Sequence, residues 1–260
     1  MLKDVTLGQY FPGNTIVHKL DPRTKIIWVI LYIVALFSCK TWYAYGLVMV
    51  VTAVLMAVSH ISPKNIFKGL KAMMVIIVLT AFLNVFYTEG EPIKEGWIIT
   101  YEGIERAVQM IIRIVLLITG TFLLTYTTSP MALTDGLDML MSPLKKIKVP
   151  VHEITMMMSM ALRFIPTLIE ETDKIMSAQK ARGADFETGG LIKRARALIP
   201  ILVPLFVSAF RRADDLAVAM ECRCYHGGEG RTKLKVLKMQ KRDLIALILG
   251  VIFTVCAILL

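Results

Sequence analysis

Two arginines stand where helix-forming runs stop. Around Arg182 the chain reads SAQKARGADFETGG, and farther on, around Arg223, it reads AMECRCYHGG. A guanidinium is a planar fork of five donors that always carries charge, so it suits carboxylate or phosphate recognition. At a helix C-terminus it also complements the partial negative charge of its own dipole. Both readings apply to Arg182 and Arg223. The sharper one is that a rigid helix end presents each cation to a carboxylate-lined groove on a partner. The small flanking residues Ala181, Gly183, Cys222 and Cys224 let a backbone approach closely. Aligned on their arginines, the two runs also share an acid (Asp173, Asp214) and an alanine (Ala178, Ala219) at equal offsets.

Other chemistries lack their residues. Cys222-x-Cys224 is too closely spaced for a zinc-finger pair, no second Cys/His pair follows at metal spacing, and His226 alone does not complete a site. Two small residues at a crowded helix end explain that pair, and no metal site is expected. Cys39 and Cys256 sit at or within apolar runs, where a thiol packs as a small hydrophobe. The chain has no G-x-x-x-x-G-K-[ST] phosphate loop, no H-E-x-x-H and no G-x-S-x-G. No catalytic residues and no bound cofactor are expected, and the chain should not hydrolyse ATP.

The elements holding these arginines belong to a membrane protein. The 260 residues are 56% hydrophobic, with a mean hydropathy of +0.63. Membrane-length apolar stretches lie at about Ile26–Phe37, Ala44–Val58, Ala72–Tyr87, Ala107–Tyr126 and Leu244–Leu260. Trp28, Tyr32, Trp42, Tyr43 and Tyr45 are interface anchors for the first two. The first 25 residues lack the apolar core and cleavage site of a signal peptide, so the first span serves as an uncleaved insertion signal. The net charge of +10 reads as basic loops against anionic lipid rather than nucleic-acid binding. Lys3, Lys19, Arg23 and Lys25, and the lysines of HISPKNIFKGLK, contrast with the five glutamates of Thr88–Glu105. The positive-inside rule puts the first two segments in the cytoplasm, and Thr88–Glu105 and the C-terminus outside.

Between Thr127 and Arg242 lie nineteen of the thirty basic residues, with two apolar runs, EITMMMSMALRFIPTLI and ALIPILVPLFVSAF. If both crossed the membrane, a strongly basic loop would face outward. Long helices on or under the cytoplasmic face fit better. Ile165, Leu168, Ile169, Thr172, Ile175, Met176 and Gln179 form one stripe at helical spacing, opposite Glu170, Glu171, Asp173 and Lys174. Leu202, Leu205, Phe206, Ala209, Ala213, Leu216, Ala217 and Met220 form another, with Arg211, Arg212, Asp214 and Asp215 largely opposite. Pro166 and Pro204 should kink these helices or mark their starts, and Gly183 and the Gly227-Gly228 pair should end them.

Two further features admit two readings each. Arg106, Gln109 and Arg113 make a polar stripe that could line a pathway, or Arg106 and Arg113 snorkel toward the outer interface or pair with the outside glutamates. Met139, Met141, Met156, Met157, Met158 and Met160 are either core filler or an adaptable face for several partners.

The combination ARG in AQKARGADF, ECRCYHGG, ALRFIPTLIEETDKI and LDPRTK resembles the transmembrane T component of energy-coupling factor transporters, over nearly the whole chain. The resemblance implies an all-α integral membrane protein of about five spans, with a cytoplasmic domain of long coupling helices inserted before the last. The corresponding divisions are 1–126 for four spans, 127–242 for the coupling helices and 243–260 for the last span. It also implies two ATP-binding-cassette ATPases docking on Ala181, Arg182, Gly183 and on Cys222, Arg223, Cys224, with ATP and Mg held by those partners. A separate S component, exchangeable among several, would capture the vitamin or other micronutrient and meet the methionine face. The second motif departs from Ala-Arg-Gly at both flanks. The alternatives are a membrane-embedded enzyme, which would need clustered Asp, His or Ser near the interface, and an independent carrier, which would show inverted repeats or broken polar helices.

Overall fold

The computed structural model describes residues 10–88, 100–186, 190–227 and 237–260. Lys3, Gly228 and residues 89–99 of the acidic segment lie outside them. The regular elements among the described residues are helices, and the chain is an all-α membrane protein. In a bilayer, a spanning helix satisfies its own backbone hydrogen bonds, which an open strand cannot do.

One compact unit comprises the described residues between Gly8 and Gly136 and between Val236 and Leu260. It contains α1 (Pro22–Ser38), α2 (Trp42–Ser59), α3 (Pro63–Tyr87), α4 (Tyr101–Thr127) and α9 (Lys241–Leu259). Of these, α2, α3, α4 and α9 are each long and apolar enough to cross a membrane. Helix α1 has 17 residues, which at about 1.5 Å each reach about 25 Å, short of a hydrocarbon core of about 30 Å. It packs against α9, α4 and α2, and its Ala35 and Leu36 are wholly buried.

Close approach and aromatic stacking hold this bundle. Trp28 of α1 stacks on Phe253 of α9, with centroids 5.7 Å apart, and donates from Nε1 to the Ala246 carbonyl at 3.2 Å. A Cβ at Gly250 would lie 2.8 Å from that indole nitrogen, so the α1–α9 contact requires glycine there. Tyr32 donates to the Leu116 carbonyl of α4 at 3.0 Å and shares a 2.9 Å bond with the Thr52 hydroxyl of α2, tying three helices at one point.

LDPRTK builds the start of α1. Asp21 caps the helix by accepting from the Arg23 backbone N–H at 2.9 Å, with Pro22 at the first position, where its missing N–H is harmless. Its own N–H donates to the Asp243 carboxylate at 2.8 Å, and Arg23 reaches the Leu237 carbonyl at 2.9 Å. The start of α1 is thus bonded to the start of α9, far apart in sequence.

Arg113 reaches the α1–α2 turn, which the positive-inside rule puts on the outer side, and its described partners are not glutamates. Its guanidinium donates to the Tyr45 hydroxyl at 2.5 Å and the Cys39 carbonyl at 3.3 Å, and lies over the Phe37 and Tyr45 rings. It clamps the turn between α1 and α2. A different side chain, Trp42, meets Glu105, at 2.9 Å.

Helix α5 (Pro130–Met141) leads into the second unit, the described residues between Leu137 and Lys235. That unit holds a short 3₁₀ helix (Ser142–Ile147), α6 (Val151–Ala181), α7 (Leu191–Ala197) and α8 (Ile199–Glu221). Gln179 near the end of α6 donates to the Pro200 carbonyl at the start of α8 at 3.5 Å. Met160 and Phe164 of early α6 share a cleft with Leu216 and Met220 of late α8. The two helices therefore run antiparallel.

Pro166 and Pro204 start neither helix. Both sit inside, and α6 continues as a single helix of 31 residues through its proline. Arg212 does not lie opposite the packed face of α8. It reaches across to Glu171 at 2.7 Å, while Leu202 and Phe206 of the apolar stripe are exposed. Periodicity finds a helix's apolar stripe, but only the partner helix decides which edge of it is covered.

Candidate functional site

The end of α6 is closed by two backbone hydrogen bonds. The Ala184 N–H donates to the Gln179 carbonyl at 3.0 Å, and the Gly183 N–H to the Lys180 carbonyl at 3.0 Å. Gly183 is left-handed, with φ of +87°. This is the Schellman arrangement, in which a left-handed residue reverses the chain and satisfies carbonyls the helix leaves free. Arg182 directly precedes that residue. It is exposed, and its side chain has no ion pair or hydrogen bond among the described residues.

The end of α8 repeats the pattern. The Tyr225 N–H donates to the Met220 carbonyl at 3.1 Å and the Cys224 N–H to the Glu221 carbonyl at 2.9 Å. The left-handed residue is Cys224, with φ of +55°, and Arg223 directly precedes it. The chain therefore turns before the Gly227-Gly228 pair expected to stop it. Gly227 follows with φ of +102°, and Gly228 lies outside the described residues. Cys222 and Cys224 are exposed free thiols.

The antiparallel pairing sends the two arginines to opposite ends of one helix pair. Arg223 shares a cleft with Met156, Ser159, Met160 and Arg163 at the start of α6, whereas Arg182 caps its end. The α6 residues of that cleft lie 19 to 26 residues before Arg182, about 28–39 Å at 1.5 Å per residue. Between them, Glu171 is held below the usual carboxylate range by hydrogen bonds, from Ser208 first and then Arg212. That link locks the register of α6 on α8. The pair is a stiff body with an unpaired, fork-shaped cation at each end, suited to gripping acidic surfaces at two points.

The methionines divide. Met157 and Met158 are exposed at 60% and 41%, whereas Met156 and Met160 are half-buried beside Arg163 and Arg223. Met139 and Met141, on α5, are half-buried. Arg163 lies within the apolar run EITMMMSMALRFIPTLI, whose pattern assigns it no role. Its spacing of seven from Met156, with Ser159 and Met160 between, was the available signal of a shared helix face.

The family described as "Cobalt transport protein" (CbiQ) matches residues 13–234. Proteins called "Energy-coupling factor transporter transmembrane protein EcfT" match end to end. The one from Ruminiclostridium cellulolyticum is 51% identical over 100% of this chain and 98% of its own length. The one from Clostridium kluyveri is 52% identical over 100% of this chain and 97% of its own. The chain belongs to the energy-coupling factor transporter transmembrane protein family. The Bacillus subtilis family member is 46% identical over 94% of this chain and 93% of its own length. Membership in the family makes the chain a multi-pass membrane component of a transporter.

Proposed function

We propose that this family member is the energy-coupling subunit of an energy-coupling factor transporter, carrying ATP-driven movement from two ATPase subunits to a substrate-binding S component. The observation that carries the reading is the repeated helix ending: Arg182 and Arg223 precede a left-handed residue in the same hydrogen-bonded motif, at opposite ends of α6–α8. Each arginine, with its neighbours Ala181 and Gly183 or Cys222 and Cys224, docks one ATPase through an acidic groove. ATP and Mg belong to those subunits, and this chain binds no cofactor and catalyses no reaction.

The S component, one at a time and exchangeable among several, meets the methionine surface of Met139, Met141, Met156, Met157, Met158 and Met160. The exposure of Met157 and Met158 supports that role. Residues 127–242 and the N-terminus face the cytoplasm, by the distribution of positive charge, in the cell membrane. The imported solute is a vitamin or other micronutrient, chosen by the S component.

Co-purification tests the reading. A tagged wild-type chain should retain both ATPase subunits and the S component in detergent, and the chain with Arg182→Gln plus Arg223→Gln should lose the ATPases. Retention of both ATPases by that double variant would refute it.

A further inference from the structure

We infer that Arg163 is a second docking cation at the Arg223 end, so that this end receives a carboxylate-bearing segment of its ATPase in a cleft rather than presenting a single arginine. The inference rests on the docking reading of Arg223.

The cleft has a volume of about 620 Å³ and is framed by early α6 on one side and by the turn after α8 on the other. Met156, Ser159, Met160 and Arg163 contribute from α6 at helical spacing, and Arg223 and His226 from the turn. Among the described residues, none that line it is acidic, and neither guanidinium has an ion pair or hydrogen bond. Two unpaired like charges facing one concavity raise each other's electrostatic energy unless an anion enters between them.

Neither ordinary role of a surface arginine accounts for Arg163. The residues three and four away on α6 are Met160, Ser159, Pro166 and Thr167, so no helix-surface ion pair is available. It lies several turns before the end of α6 at Ala181, beyond the last turn in which a cation complements the helix dipole. A carboxylate entering the cleft would take a fork from each side, with methionine side chains adapting around its stem.

The occupant is a protein carboxylate because Arg223, on the docking reading, meets an acidic groove of its ATPase, and Arg163 lines the same cleft. One shared chemistry then serves both ends, with the cleft adding depth at one. The ATPase at the Arg223 end supplies a protruding acid.

The test uses the full-length chain in lipid nanodiscs and reads the Kd of purified ATPase subunits for wild type, Arg163→Gln, Arg223→Gln and the double variant. Each single change should raise Kd by about tenfold or more. The double change should raise it by less than the product of the two, because both cations hold one acid. An unchanged Tm of the chain alone separates a lost contact from a lost fold. If Arg163→Gln lowers Tm, Arg163→Lys gives the same readout, keeping charge while losing the fork, with a Kd raised about threefold. A Kd within twofold of wild type for Arg163→Gln, alongside a tenfold rise for Arg223→Gln, overturns this inference and leaves the docking reading standing. No change for Arg223→Gln overturns both.

Discussion

Gly183 and Cys224 occupy the same left-handed position of the same helix-ending motif, each directly after an arginine, with φ of +87° and +55°. Glycine adopts that conformation freely, whereas a residue with a Cβ pays roughly 1–2 kcal/mol. Gly183→Ala should therefore destabilise the end of α6 by about 1 kcal/mol, while Cys224→Gly should be neutral or slightly stabilising at the end of α8. Thermal unfolding of the detergent-solubilised chain checks the pair. A loss of stability in Cys224→Gly as large as that in Gly183→Ala would contradict the shared backbone.

Arg182→Lys plus Arg223→Lys should leave a folded, inserted protein with strongly reduced solute uptake. Lysine still complements the helix dipole but lacks the bidentate fork. Losing a buried interfacial charge pair costs about 2–5 kcal/mol, against about 0.3–1 kcal/mol for a dipole contact. Each single variant keeps the other docking point, so it should stay assembled but couple poorly. Uptake assays in cells set the outcome, and wild-type uptake by the double variant would reduce both residues to helix caps.

The Glu171–Arg212 link should depend on pH. The folded carboxyl titrates below its ordinary value of 4.5, so its stabilisation is whole above that value and disappears as pH falls through the lower folded one. Glu171→Gln should lower the unfolding midpoint at pH 7, and that difference should shrink as the pH is taken progressively below 4.5. A difference that stays constant as the pH falls would be the contrary result.

Asp243 accepts from the Asp21 N–H at 2.8 Å and from the Gln240 N–H at 2.8 Å and is 2% exposed. Replacing it by Asn turns an amide N–H toward one of these donors. A hydrogen bond to a charged group is worth about 1.5–3 kcal/mol, so Asp243→Asn should destabilise the chain by about that much. Asp243→Ala should cost at least as much in the same unfolding assay.

Topology can be read by thiol labelling of intact cells in a cysteine-free background. Pro92→Cys should react with an impermeant reagent, and Gly189→Cys should react only after the membrane is opened. Strong labelling of Gly189→Cys from outside would invert the orientation drawn from charge.

The helices were legible because membrane spans and amphipathic faces announce themselves by composition and period, and Gly183 marked the end of α6 by its chemistry. The matching end of α8 was hidden. Cys224 carries a Cβ and no left-handed preference, and the glycines that look like a stop come three residues later. Arg212 was assigned to the wrong side because a helical wheel does not contain the neighbouring helix. Arg163 gained its place beside Arg223 only through the antiparallel pairing of α6 with α8, which no local pattern encodes. Arg113 likewise found Tyr45 and Cys39 through tertiary packing, although its spacing suggested a polar stripe.

Antiparallel pairing makes α6–α8 a strut. Its two arginine-tipped ends are about 28–39 Å apart along the helix, and a packed helix pair does not shorten. Bodies holding both ends can approach each other only if the strut tilts or bows. A tilt of about 30° would reduce the projected span by about 4–5 Å, and bowing would concentrate where Pro166 and Pro204 leave a backbone hydrogen bond unmade. The pair thus converts a change of separation at its ends into a rotation of everything fastened to its middle.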